Sequence, residues 1–353
     1  MRGYLSSVDK TIHFGLGKIS AIDSIKITWL SGKEETVYNI KANTEINVFE
    51  KNASINNLSN SNKQNEYPIK KIKNIIDFSH HENKYNDFKN EILLPYKQST
   101  LGPFIAKGDV NGDKKVDVYI GGASGQAGQL FIQTKNGFIK KNIDLFIEDS
   151  KYEDMESLFF DFDSDGDLDI YIVSGGNEFA ENSKYLKDRL YINDGDGNFT
   201  KHSFSNINPS SSGKTITKID FDKDGDFDLI IGNRIISQKY PLPKASIIYE
   251  NVNGTLKNVT KQIAPTFENF GIVNKVITTD FNNDGWQDFI AVGEWTPIGL
   301  FKNEQGVFKN ISKSIDLENE KGWWFSITET DVNNDGNKDY VIGNIGLNYK
   351  FKA

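Results

Sequence analysis

Residues 161–169 read Asp161-Phe162-Asp163-Ser164-Asp165-Gly166-Asp167-Leu168-Asp169, with carboxylates at every odd position. So many like charges in nine residues repel one another at close range. A hard divalent cation relieves that repulsion. Ca2+ takes six to eight oxygens at roughly 2.3–2.6 Å, and side chains at positions 1, 3 and 5 of a bent loop can converge on it. Glycine at position 6 supplies a positive φ to turn the chain round the ion.

The pattern recurs five times. Its oxygen-bearing positions are Asp109, Asn111, Asp113 and Asp117; Asp161, Asp163, Asp165, Asp167 and Asp169; Asp220, Asp222, Asp224, Asp226 and Asp228; Asp280, Asn282, Asp284 and Asp288; and Asp331, Asn333, Asp335 and Asp339. Successive copies start 52, 59, 60 and 51 residues apart. Each has Asp at positions 1, 5 and 9 and Asp or Asn at position 3, so Ca2+ is the expected cofactor. Position 9 is expected to close the ligand set. The first copy carries Lys114 at position 6 and is expected to bind more weakly.

An EF-hand needs a bidentate Glu at position 12. Here that position is Ile120, Ile172, Ile231, Ala291 or Ile342. The flanks are short β-branched and aromatic runs, such as Ser157-Leu158-Phe159-Phe160 before a loop and Ile170-Tyr171-Ile172-Val173 after it, which predict strands. Each acidic loop is therefore read as the bend between two strands.

The second strand of each copy is read as ending in glycine: Gly121-Gly122, Gly175-Gly176, Gly232, Gly293 and Gly343. In the first four copies a third strand follows, at Gln129–Ile132, Arg189–Ile192, Ser246–Tyr249 and Gly299–Phe301. Tight turns at Asn136-Gly137, Gly195-Asp196-Gly197, Asn253-Gly254 and Gln305-Gly306 then lead into a short fourth strand. Four short antiparallel strands per repeat make a propeller blade. The fold class expected is all-β: a β-propeller over residues 77–353, incomplete in its fifth blade, behind a small β domain (1–50) and an Asn/Ser/Lys-rich linker (51–76).

In the first 50 residues, Ser24–Trp29, Glu35–Tyr38 and Glu45–Phe49 read as strands. With His13-Phe14-Gly15-Leu16-Gly17, the turn Trp29-Leu30-Ser31-Gly32-Lys33, and Asn43 five residues before Val48, this stretch resembles the ASPIC/UnbV domain. The later repeats resemble FG-GAP/VCBS blades, the Ca2+-loop propellers also seen in integrin heads. Together with Phe78-x-His80-x-Glu82-Asn83 and Gly343-Asn344-Ile345-Gly346-Leu347-Asn348, the chain is similar to large secreted VCBS-repeat proteins of Bacteroidetes-type bacteria. That likeness implies a secreted or cell-surface setting, a chain that is a fragment, and about seven blades in the ring. The missing outer strands are expected either to come from residues 77–105, as a ring-closing exchange, or to be absent.

The composition agrees with thin sheets: 37% of residues are hydrophobic, 12% aromatic and none is Cys. The net charge is −8, yet the five loops hold 19 of the 49 acidic residues, so the rest of the chain is net positive. No apolar run is long enough to span a membrane as a helix. Residues 1–7 lack an apolar signal region. The basic cluster Lys70-Lys71-Ile72-Lys73 reads as a solvated face, and no basic-aromatic stripe points to nucleic acid.

Enzyme signals are poor. The four histidines, His13, His80, His81 and His202, form no H-E-x-x-H pair. Gln126 breaks a nucleophile elbow around Ser124. Asn208 breaks a phosphate loop before Gly213-Lys214-Thr215. The expected function is a non-catalytic, Ca2+-stabilised scaffold that binds a glycan or protein on the propeller face, with Trp295, Trp323 and Trp324 as exposed platforms or inter-blade packing. The alternative is a polysaccharide-active enzyme such as a propeller lyase, for which Arg189, Arg234, Lys239 and Tyr240 are the candidate residues.

Overall fold

The computed structural model describes residues 14–29, 31–54, 75–203 and 211–346. His13, the 70–73 basic cluster, most of the expected linker and the last seven residues lie outside that set. The chain divides into two compact units, Met1–Ile72 and Lys73–Ala353.

In the first unit, β1 (Ala21–Thr28) and β2 (Glu34–Lys41) pair antiparallel, with Ile25 opposite Val37. Gly32 takes φ 84° in the turn between them. The expected third strand does not form. Residues 45–49 pair with no strand, and Ile46 and Phe49 are exposed, so no second layer draws them into a sheet. Ser54 instead exchanges two backbone hydrogen bonds with Glu34, at 2.9 and 3.1 Å.

The second unit is a series of blades. The first contains β3 (Ile105–Gly108), β4 (Asp117–Ile120), β5 (Gln129–Thr134) and β6 (Gly137–Lys141). Next come β7 (Asp154–Phe160), β8 (Asp169–Ser174), β9 (Arg189–Asn193) and β10 (Phe199–Lys201). The third has β11 (Ser212–Ile219), β12 (Asp228–Ile235), β13 (Ile247–Asn251) and β14 (Leu256–Asn258). The fourth has β15 (Ile272–Thr279), β16 (Asp288–Thr296), β17 (Gly299–Asn303) and β18 (Phe308–Asn310). A final hairpin pairs β19 (Gly322–Thr330) with β20 (Asp339–Asn344). Every pairing is antiparallel and, in the four complete blades, runs in chain order, so the meander read from the sequence is borne out. Each acidic loop joins the first two strands of its blade.

Two boundaries differ from expectation. In blades three and four the second strand runs past its glycine to Ile235 and Thr296, which carries Arg234 and Glu294 into the structure. The glycine marks a close approach rather than a strand end: a Cβ on Gly232 would lie 2.5 Å from both Thr215 and Val273. In addition, residues 77–104 supply no outer strand. Pro95 and Pro103 lack the N–H a ladder needs. Buried Asp87 instead folds the segment on itself by accepting the N–H groups of Gln98 and Ser99, each at 3.1 Å. The segment lies as a strap against several blades. His81 N–H donates to Gln126 at 2.9 Å, Asn83 to Glu178 at 3.0 Å, and Tyr96 Oη to Glu294. Glu91 accepts the N–H of Tyr240 at 2.8 Å.

The core is layered between successive sheets. One cluster joins Val110 and Tyr119 of blade one to Ile170, Tyr191 and Phe199 of blade two. Others join Phe162 to Tyr249 and Leu256, and Phe221 to Phe289, Phe301 and Phe308. In loops one to three the residue at position 2 thus packs into the following blade. In the fifth loop that residue, Val332, is 66% exposed.

Candidate metal centres

The five loops share one backbone. Position 4 is left-handed in all of them: Gly112, Ser164, Lys223, Asn283 and Asn334 have φ between 56° and 70°. So is position 6, where four glycines have φ 84–99° and Lys114 has φ 63°. The expected glycine bend is therefore present even where the residue is lysine. Two left-handed residues within three positions curl the chain so that N–H groups at positions 5 and 6 point at position 1. In the first loop the N–H groups of Asp113 and Lys114 donate to Asp109, at 3.1 and 2.6 Å. Loops four and five repeat this on Asp280 and Asp331.

Position 9 is held at the start of the second strand. Asp117, Asp169, Asp228 and Asp288 are buried. Each accepts the N–H of position 2 on one oxygen (Val110, Phe162, Phe221, Phe281) and the N–H of a third-strand residue on the other (Gln133, Asn193, Asn251, Asn303). Asp339 accepts from Val332 in the same way. Burial raises Asp169 and Asp288 to about 6 and Asp228 to about 8.

Position 3 splits the loops into two kinds. In loops four and five the Asn282 and Asn333 amides donate to Asp284 and Asp335, both at 2.9 Å; the N–H groups of Trp286 and Asn337 first, and these amides after them, hold position 5 below the ordinary carboxylate range. In the first loop Lys115 reaches Asp113 at 2.6 Å and lowers it. Loops two and three have Asp at position 3 and no such donor. Asp161, Asp163 and Asp165 bring one oxygen each within 4.8 Å of one another, and so do Asp220, Asp222 and Asp224. Oδ1 of Asp161, of Asp220 and of Asp226 is buried without a hydrogen-bond partner. Asp163 and Asp222 are raised by burial and then by the adjacent Asp165 and Asp224, and Asp226 rises to about 6. An all-oxygen donor set with orphaned carboxylate oxygens fits a hard cation.

A model of the FG-GAP-like repeat matches residues 109–172, 161–231 and 280–342, which takes in all five loops and more than half of the chain. The chain belongs to the FG-GAP-like repeat family. A model of the ASPIC and UnbV domain matches residues 1–55. No curated protein matches the chain. Among solved structures, the biofilm matrix protein Bap1 of V. cholerae is 16% identical with a TM-score of 0.31, over 69% of this chain and 35% of that one. A protein assigned as an exo-beta-1,3-galactanase from Bifidobacterium bifidum is 11% identical with a TM-score of 0.35, over 67% of this chain and 80% of that one. Neither superposition is close enough to carry an argument about function.

Sequence reading missed the asparagines that join one FG-GAP-like blade to the next. Asn193, Asn251 and Asn303 stand on the third strands and hold position 9 of their own loop through their N–H groups. Each also donates its side-chain amide, at 2.8 Å, to the position 2 carbonyl of the preceding loop: Val110, Phe162 and Phe221. The signal was an Asn two residues before each later turn: Asn193 before Gly195, Asn251 before Asn253 and Asn303 before Gln305.

At the far end of the strands Arg189 and Lys239 stand apart, while Arg234 and Tyr240 come together. Arg189 pairs with buried Asp154 at 2.6 Å and lies 4.2 Å from the Tyr152 ring. Lys239 reaches exposed Glu181. Arg234 and Tyr240 meet on Glu294, at 2.7 and 3.0 Å, with Tyr96 and Gln98 also on the Arg234 guanidinium. Arg234 and Glu294 are fully buried, so this pair joins blades rather than lining an open cleft. Of the three tryptophans, only Trp295 is fully exposed, at 58%. Its φ is 61°, a strained value for a bulky residue. A bulge in the β16–β19 pairing places it there, its indole N–H donates to Tyr240 at 3.0 Å, and its ring stands edge-on to Trp323 at 4.8 Å. Trp324 packs in the cluster between blade four and the final hairpin.

Proposed function

We propose that this chain is a non-catalytic FG-GAP-like scaffold, stiffened by Ca2+, that binds a glycan or protein ligand in a secreted or cell-surface setting. The observation that carries the Ca2+ part is the buried, unpartnered carboxylate oxygen at position 1 of loops two and three. Asp161, Asp163 and Asp165, and Asp220, Asp222 and Asp224, would hold the ion, which neutralises their mutual repulsion and fixes the strand bend. Trp295 supports the binding part: a bulky ring held outward in a strained conformation, beside Tyr240 and Trp323, is a platform for a sugar ring or an apolar side chain. Arg189 and Lys239 lie on other partners than the Arg234–Tyr240 pair, and Arg234 is fully buried, which supports a binder over a polysaccharide lyase.

Calorimetry in Ca2+ and in chelator tests the first part. A melting temperature that rises with Ca2+ is expected, and an unchanged one sinks it. A glycan array with wild-type chain and Trp295→Ala tests the second. Binding that survives the substitution undiminished removes Trp295 from the site.

A further inference from the structure

A second set of oxygen donors lies where the strap meets blade two. Glu153 precedes β7 and Glu178 follows β8, so both stand at the end opposite to loop 161–168. The seven residues of β7 put about 23 Å between the two places. Glu153 is 1% exposed. Its Oε2 accepts the N–H of Ser124 at 2.7 Å, while its Oε1 is buried and accepts nothing. Glu178 accepts from Asn83 Nδ2 at 3.0 Å and from the N–H of Asn177 at 2.7 Å. Asn83 Oδ1 is also buried without a donor. Gly176 sits between the two glutamates. A Cβ there would lie 2.4 Å from Glu178 Oε2 and 3.2 Å from Glu153 Cβ, so both side chains fill one small space.

No positive charge balances them among the described residues. Burial first, and then the charges of Glu178 and Glu82, push the Glu153 carboxyl up to about 9. His80 is engaged with Glu82 at 2.9 Å, and Arg189 with Asp154. A buried carboxylate beside a half-buried one, without a counter-charge, costs several kcal/mol unless a cation or a proton joins them. A proton on Glu153 would find an acceptor in a neighbouring carboxylate, but it would leave Asn83 Oδ1 without a donor. A cation lodged beside Gly176, between the two glutamates, would answer the unpartnered oxygens of Glu153 and Asn83 and the charge of Glu178 together.

We propose that Glu153, Glu178 and Asn83 hold a Ca2+ ion that clamps the strap onto blade two, separately from the acidic loops. Water would complete the coordination shell, since Ca2+ takes six to eight oxygens.

The test counts Ca2+ bound per full chain by equilibrium dialysis. Glu153→Gln has the shape of a protonated glutamate. It is expected to bind one ion fewer than wild type, as are Glu178→Gln and Asn83→Leu. Adding Asp161→Asn is expected to remove a further ion. Trypsin cleavage within the strap, at Lys84, Lys89 and Lys97, is expected to be about 100-fold faster in Glu153→Gln at a Ca2+ concentration 100 times Kd. A Glu153→Gln chain with the wild-type count and wild-type strap protection overturns the proposal. Should that variant not fold, an undiminished count in Glu178→Gln overturns it equally. If the loops hold no ion, the wild-type count falls toward one, but the difference between variants is still read, so the two ideas fail separately.

Discussion

At the scale of single residues, the acidic loops differ by one amide. Asn282 and Asn333 each donate a hydrogen bond to the carboxylate at position 5, where Asp163 and Asp222 add a negative charge instead. Asp222→Asn should therefore make the third loop resemble the fourth. Its chain is expected to melt higher than wild type in chelator and to gain less on adding Ca2+, as calorimetry would show. Lys114 poses a simpler question, because a left-handed lysine costs roughly 1–2 kcal/mol and glycine returns part of that as unfolded-chain entropy. Lys114→Gly is expected to stabilise by about 0.5–1 kcal/mol in urea unfolding.

At the scale of elements, the blades are fastened by asparagines on their third strands. Asn303 ties Asp288 within its own blade and the Phe221 carbonyl of the blade before. Alanine there leaves a buried carbonyl unsatisfied, which costs about 1–3 kcal/mol. Asn251→Ala and Asn303→Ala are each expected to lose that much in urea unfolding, whereas an exposed asparagine such as Asn319 should lose less than about 0.5 kcal/mol. These asparagines were visible in the sequence as residues. Their role was not, because their amides act across 82–89 positions of chain, and no local period records that distance.

At the scale of the whole molecule, stability lies between blades. Phe162 is buried in the layer between blades two and three, while its counterpart Val332 is exposed. Phe162→Ala should cost about 3–5 kcal/mol. Val332→Ala should cost less than about 0.5 kcal/mol. The raised carboxylates add a pH signature. Asp169, Asp226 and Asp288 titrate at about 6, Asp228 at about 8 and Glu153 at about 9, burial being the first cause for each. Between about pH 5 and pH 7 the metal-free folded chain keeps protons that the unfolded chain, with ordinary carboxylates, has released, so its stability falls as pH rises. Melting temperatures in chelator should drop across that window. In Ca2+ the drop should shrink or reverse, because a bound cation favours the ionised form.

The sequence by itself determined the repeat: strand, acidic bend, strand, strand and turn, each set by a handful of adjacent residues acting locally. Period-two alternation and turn chemistry are short-range signals, and the meander they predict is the one that forms. Only the tertiary structure decided where residues 78–104 go, which asparagines cross between sheets, and that Arg234 and Tyr240 share Glu294 while Arg189 and Lys239 do not. Each of those depends on which blade lies beside which, and that follows from packing across tens of residues rather than from any one stretch of chain.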